Sequence, residues 1–311
     1  MGGVLDAAGS YQFAMIKQEL QYAAGFFDAE GCICIGKNKH KQMLCGYQYE
    51  LHVVFSSTFE PVARWFGFKF LSSICHIKEN LETNRQENWR WAAYCGNGLA
   101  FLKQVRPYLV IKADEADLAI GFQERISSWA GKLTAEEIAW RECVKSKISE
   151  YKRRSFPCGE LTKGPRDATS GELCYLAGFF DGEGCVTVVA TMAPNGRNLS
   201  HELAVGCACT YPDPIVLLYS IFGGHTSKRK RKSPQRDLYR WEIKNRKAAD
   251  ALRRLQPYLL VKRAQADLGI KFQEYKIASR PRPAMYGVSP EVLEKRQEFM
   301  DKLHALNKRG L

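Results

Sequence analysis

A nine-residue segment, Ala24-Gly25-Phe26-Phe27-Asp28-Ala29-Glu30-Gly31-Cys32, occurs twice in this chain. The second copy, Ala177-Gly178-Phe179-Phe180-Asp181-Gly182-Glu183-Gly184-Cys185, departs from it at one position of nine. Landmarks follow each copy in the same order. Tyr49–Thr58 lines up with His201–Thr210, and Arg90-Trp91 with Arg240-Trp241. Pro107-Tyr108-Leu109, Lys112, Ala116-Asp117-Leu118 and Phe122-Gln123-Glu124 recur as Pro257-Tyr258-Leu259, Lys262, Ala266-Asp267-Leu268 and Phe272-Gln273-Glu274. The offset falls only from 153 residues at the motif to 150 at the last match. A solenoid has far shorter periods, so this is a tandem duplication of a unit of about a hundred residues.

With 311 residues, each half is long enough to bury its own core. Lys and Arg number 46 against 33 Asp and Glu, a formal charge of +13 that favours a polyanionic partner, nucleic acid before an anionic membrane surface. No apolar run approaches the roughly 18 residues of a spanning helix, and Met1–Asp6 does not read as a signal peptide. The 11 cysteines include no CxxC pair, and many lie in strand-like apolar runs. That argues for reduced thiols in an intracellular protein over disulfides or zinc. Bacterial cytoplasm, chloroplast and mitochondrion all fit.

The patterning predicts one element order in each repeat. A helix capped by Ser10 runs to Ala29, with Gly31 as its stop signal. A strand from Cys32 pairs with Gly46–Thr58. Pro61 opens a helix to Leu71. Strands follow at Ile74–Asn80 and Asn88–Tyr94, then helices over Asn97–Val105 and Lys112–Ser127, interrupted at Pro107. Thr134-Ala135-Glu136-Glu137 has capping-box spacing and begins an amphipathic helix to Arg154. The fold class is therefore α+β, two pseudo-symmetric αββαββα repeats, each with an antiparallel four-stranded sheet. The expected divisions are an N-terminal domain (1–131), a linker with an amphipathic helix (132–171), a C-terminal domain (172–279) and a basic helical extension (280–311).

Gly25 and Ala29 share one helix face, as do Gly178 and Gly182, and small residues at this spacing let two helix backbones approach closely. If the two motif helices pack on each other through those faces, Glu30 and Glu183 arrive side by side. Paired carboxylates repel unless cations join them, and oxygen ligands suit Mg²⁺. Cations there would activate water and stabilise the leaving oxygen in phosphodiester hydrolysis. Asp28 and Asp181 are equally well read as polishing the helix ends.

These residues resemble the doubled LAGLIDADG signature, and the chain resembles a single-chain LAGLIDADG homing endonuclease over Ser10–Ser127 and Glu172–Ala278. The resemblance implies that the motif helices join the two repeats and that each sheet lies in the DNA major groove. It implies metal binding by Glu30 and Glu183, with Mg²⁺ as cofactor, Mn²⁺ as a substitute and Ca²⁺ able to occupy the site without supporting cleavage. It further implies that Lys112 and Lys262 polarise water or stabilise the phosphate; a plain phosphate contact is the rival role. Cleavage of both strands of a long, asymmetric duplex would leave 3′ overhangs, and the protein would act as a monomer. No intein splicing residues are evident, which favours an intron-encoded or free-standing protein. Two departures stand out: Ala23 replaces the motif's leading Leu, and Phe59 and Tyr211 occupy corners where the family often has a polar residue.

Strand alternation assigns a DNA-facing surface. Arg90 and Arg240 are expected to point outward, with Trp89, Trp91, Tyr239 and Trp241 inward. His76, Lys78 and Asn80 are placed on the outward face, with Thr226, Lys228 and Lys230 as their counterparts and Lys232 beyond them. Glu50 and His52 share that surface on another strand. Such side chains read base edges or hold phosphates. Two other functions fit the same scaffold: an RNA maturase acting on its own intron RNA, and a DNA-binding protein that does not cut.

Overall fold

The computed structural model describes residues 4–5, 11–12, 16–40, 46–80, 86–129, 133–153, 165–192, 199–232, 235–280 and 288–308. Ser10 and positions 132 and 154–164 of the expected linker lie outside them. Two short strands, β1 (Val4–Leu5) and β2 (Tyr11–Gln12), pair antiparallel, and β2 takes the place of the first turn of the helix expected after Ser10.

The chain divides into two compact units, 1–155 and 156–311. The first contains α1 (Lys17–Glu30), β3 (Cys32–Lys39), β4 (Tyr47–Ser57), α2 (Glu60–Lys69), β5 (Ser73–Ile77), β6 (Asn88–Tyr94), α3 (Cys95–Val105), a 3₁₀ turn (Arg106–Tyr108), α4 (Ala113–Ser128) and α5 (Ala135–Tyr151). The second repeats the order with α6 (Ser170–Glu183), β7 (Gly184–Met192), β8 (Leu199–Cys209), α7 (Pro212–Phe222), β9 (His225–Arg229), β10 (Leu238–Lys244), α8 (Asn245–Leu255), a 3₁₀ turn (Gln256–Tyr258), α9 (Arg263–Ala278) and α10 (Pro290–Lys308). Both sheets are antiparallel and four-stranded, ordered β3-β4-β6-β5 and β7-β8-β10-β9.

Each sheet packs its apolar face against the helices. In unit 1 the core is aromatic: Phe55 stacks on Trp91 at 5.3 Å, and Phe26, Phe66 and Phe101 close around them at 4.8 to 5.6 Å. Such ring pairs add about 0.5–1.5 kcal/mol each beyond the area they bury. In unit 2 the counterpart Trp241 is equally buried, and its indole N–H donates to the Gly223 carbonyl at 2.7 Å.

Several helix boundaries differ from the sequence reading. α1 starts at Lys17, where the Glu19 carboxylate accepts from the Ile16 N–H at 3.3 Å. α6 has the full reciprocal box, Thr169 accepting from the Glu172 N–H and Glu172 from the Thr169 N–H. At α5 only half of the expected box forms. Thr134 accepts from the Glu137 N–H at 3.2 Å, but the Glu137 side chain turns inward to Arg125 and Arg141.

Gly31 and Gly184 end the motif helices for a different reason than a left-handed turn. Their backbones are extended (φ −75° and −78°), which any residue can adopt. A Cβ at either position would collide with the ring and carbonyl of Phe27 or Phe180. Close approach makes these positions glycine.

The duplicated unit is one helix longer than the sequence matches suggest. α5 packs on α4 and β3, and α10 packs on α9 and β7, so both occupy the same place in their units. At a shared offset of 155 residues, buried Arg141 and Ile148 correspond to buried Arg296 and Leu303. A polar linker helix and a basic extension are thus the same element twice.

Candidate active site and nucleic-acid interface

The ends of the two motif helices are built alike. The carboxylate of Asp28 is buried and accepts three backbone N–H groups, from Val110, Ile111 and Lys112, at 2.7, 3.0 and 2.9 Å. Asp181 takes the N–H groups of Leu260, Val261 and Lys262 at 2.7, 3.0 and 2.8 Å. An acid at a helix C-terminus opposes the helix dipole. Here three charge-assisted hydrogen bonds, each worth about 1.5–3 kcal/mol, outweigh that cost. Asp28 and Asp181 therefore do more than finish their own helices: each clamps the loop that enters α4 or α9.

The clamp sets the position of the lysines. Lys112 and Lys262 are the N-cap residues of α4 and α9. The Lys112 ammonium donates to the Asp28 carbonyl. That of Lys262 donates to the Asp181 carbonyl and, at 3.1 Å, to that of Gly182. A cation there meets the negative end of the helix dipole. Within each unit a lysine and a motif glutamate, Lys112 with Glu30 and Lys262 with Glu183, thus share one helix end. Glu30 and Glu183 are exposed at the last helical position, next to the first strand of their sheet.

A further cation reaches the first motif. Lys152, just past α5, lies 3.2 Å from the Cys32 sulfur. A hydrogen bond from Cys34 and the Lys152 charge push the Cys32 thiol well below its ordinary value, while Cys34 is pushed up. Nothing in the sequence separation of 120 residues announces this contact.

In unit 2 the sheet face beside Glu183 is hollowed, with a cavity of about 340 Å³ lined by Glu183, Cys185, Thr187, His225, Ser227 and Arg240 among others. Strand register decides which side chains share this face. Arg240 pairs with Ala208 and Ser227, and Glu242 with His225. In unit 1 Arg90 pairs with Ser56 and Cys75, and His52 with Cys34 and Tyr94. Glu50, His52, Arg90 and Arg240 therefore lie on the outward face, as expected.

The edge strands correct the expectation by one residue. His76 pairs with Trp89, so it lies on the Trp91 side of the sheet, stacked on Trp89 at 5.0 Å and paired with Glu87. Thr226 pairs with Trp241 and Lys228 with Tyr239, which puts both opposite Arg240; Lys228 also pairs with Asp237 at 3.0 Å. The residues of β9 that share the Arg240 face are His225, Ser227 and Arg229. Lys78 and Asn80, and Lys230 and Lys232, lie beyond the ends of β5 and β9. Trp89 is only half-buried, unlike Trp91.

On the outward face, Glu50 accepts from Asn38 at 3.1 Å and Gln48 at 2.9 Å. His52 packs edge-on against Tyr94 at 4.9 Å and lies over Gly36, where a Cβ would touch its ring. Phe59 and Tyr211, at the strand-to-helix corners, are the N-cap residues of α2 and α7.

This architecture, two αββαββα units with matching sheets and motif helices, is the fold of the LAGLIDADG homing endonucleases. The structure is similar to I-LtrWI bound to its target DNA (TM-score 0.69, 18% identity, 93% of this chain and 98% of that one). It is also similar to I-SmaMI bound to an uncleaved DNA target with calcium ions (0.67, 14%, 91% and 97%). I-AabMI bound to uncleaved DNA gives 0.67, 14%, 91% and 98%. At these identities the likeness is one of fold. No family model matches the sequence, and neither does any curated protein.

Proposed function

We propose that this protein is a site-specific, metal-dependent endonuclease of double-stranded DNA, acting on a long asymmetric target and leaving 3′ overhangs. The observation that carries the reading is the twofold recurrence of one construction: an aspartate clamp, a lysine on the helix-end carbonyls, and an exposed glutamate beside an outward sheet face. In this reading the carboxylates of Glu30 and Glu183 hold the cations.

The donor set suits a hard cation. Beside Glu183 burial pushes the Cys207 thiol up, so it stays protonated and leaves carboxylate oxygen as the anionic donor there. Mg²⁺, when bound, neutralises phosphate charge and lowers the pKa of water. The chain's own part is positional. Lys112 and Lys262, fixed by the clamps, orient water or stabilise phosphate oxygens. Arg90, Arg240 and Arg229 hold the duplex backbone, and His52 and Glu50 face base edges.

The reading is tested by selecting cleaved duplexes from a randomised DNA pool with Mg²⁺, then assaying Glu30→Gln and Glu183→Gln. Either substitution is expected to abolish double-strand cleavage while duplex binding survives. Full cleavage by both variants, or binding without any cation-dependent cutting by the wild type, overturns it. A parallel splicing assay on intron RNA separates the maturase function.

A further inference from the structure

The buried arginine of the last helix differs between the two units in one respect. In unit 1, Arg141 of α5 donates through Nε to Glu137 Oε1 at 2.9 Å, four residues earlier on the same helix. Glu137 is buried and also takes Arg125 at 2.7 Å, so the guanidinium has an internal counter-charge. In unit 2, Arg296 of α10 is the counterpart and is 4% exposed. At the offset of 155 residues, the position of Glu137 is held by Val292. The Arg296 Nη2 donates to Ser279 at 3.2 Å, but its Nε is buried with no hydrogen-bond partner among the described residues. A buried charged donor left unmade is costly.

Arg296 lines a cavity of about 680 Å³, where the end of β10, the first turn of α8, the last turn of α9 and the start of α10 meet. Among the described residues five further cations line it, Lys244, Arg246, Lys247, Lys276 and Arg280, and no carboxylate does. Glu202 and Glu242, which pair with lining residues, are already engaged. Lys244 pairs with Glu242 at 3.3 Å and Glu202 at 3.6 Å, and Asn245 donates to Glu202 at 3.2 Å. Lys276 donates to Asn245 at 2.7 Å, and burial pushes its ammonium below the ordinary lysine value. α8 begins Asn245-Arg246-Lys247 with no acid in its first turn, the reverse of what a helix dipole favours. Unit 1 has Cys95-Gly96-Asn97 at the same place.

We propose that this cavity is an oxyanion site that binds a phosphate group, which takes the place that the Glu137 carboxylate holds in unit 1. The positive helix end, the clustered cations and the unmade Arg296 Nε–H all favour one ligand chemistry. The phosphate can come from a free nucleotide-sized ligand or from a phosphodiester of bound nucleic acid. The inference does not depend on DNA cleavage.

The test is thermal unfolding of the full chain in inorganic phosphate against chloride of matched ionic strength, with isothermal titration by phosphate and pyrophosphate. Phosphate is expected to raise Tm by about 2 °C at ten times its Kd. Val292→Glu, which restores the internal carboxylate, should raise Tm without phosphate and remove most of the phosphate-dependent rise. Absence of a phosphate-specific rise in the wild type, or an undiminished rise in folded Val292→Glu, overturns the proposal. Repeating the titration with saturating duplex distinguishes the sources: loss of phosphate binding assigns the site to a phosphodiester, and retention assigns it to a free phosphorylated ligand.

Discussion

Asp28 and Asp181 show how much one side chain can organise. Each carboxylate collects three N–H groups that no other element supplies, and in doing so delivers a lysine to the end of the motif helix. Removing the carboxylate strands three donors and leaves the lysine without its frame. Asp28→Ala and Asp181→Ala should each cost about 3 kcal/mol or more, read as a lower urea midpoint at unchanged slope. Asn in the same place presents an amide toward donors and should recover only part of that loss. Cys32 offers a chemical counterpart. Its hydrogen bond from Cys34 and the Lys152 ammonium favour the thiolate, whereas desolvation pushes its repeat counterpart Cys185 the other way. Cys32 should be alkylated by iodoacetamide near neutral pH many times faster than Cys185, and Lys152→Met should slow it. Equal rates by peptide mass spectrometry would contradict this.

Among the elements, α5 and α10 carry most of what differs from a simple reading of the chain. Ile148 and Leu303 are fully buried at matching positions, so truncating either to Ala should cost about 2–5 kcal/mol. Retention of full stability in Leu303→Ala would mean that α10 is an appendage. His201 of β8 is also buried, and burial, with Arg296 and Lys276 close by, pushes its imidazole below the ordinary value of about 6.5. The sign follows from proton counting. The unfolded chain binds the proton more readily, so this contribution to stability is complete above that ordinary value and is lost as pH falls toward the lower folded one. In phosphate-free buffer, Tm should fall between pH 7 and pH 5, and His201→Phe should flatten the fall. The edge strands carry the other lesson. β5 is mostly exposed on both faces and β9 is polar throughout, so neither pattern names a face, and a one-residue shift exchanges the faces.

For the whole molecule, the surplus of 46 basic over 33 acidic residues falls mostly in the second unit, 26 against 16 in 156–311 and 20 against 17 in 1–155, and it sets how any duplex binding responds to salt. Arg240 stands exposed on the outward face of one sheet and Arg90 half-buried on that of the other. If each neutralises a phosphate, Arg240→Ala or Arg90→Ala should lower the slope of log K against log salt by about one while weakening all duplexes alike. Fluorescence anisotropy over a salt series measures this, and an unchanged slope would remove that residue from the backbone contacts. Loss of affinity for one sequence only would assign it to base reading instead.

The duplication was legible because it is written in residue identity. The motif, the Pro-Tyr-Leu turn, the lysine after it and the alternation of strands and helices are local patterns, and local patterns determine which elements form and in what order. The αββαββα core, the outward arginines and the placement of Glu30 and Glu183 at helix ends followed from them. What only the tertiary structure decided depends on contacts between distant residues. The aspartate clamps span 79 to 84 residues, and the Lys152–Cys32 contact 120. The pairing register that turns His76, Thr226 and Lys228 to the other face belongs to two strands jointly. The equivalence of α5 and α10 survives in two buried positions, Arg141 with Arg296 and Ile148 with Leu303, because packing constrains those and leaves the rest of the helix to drift.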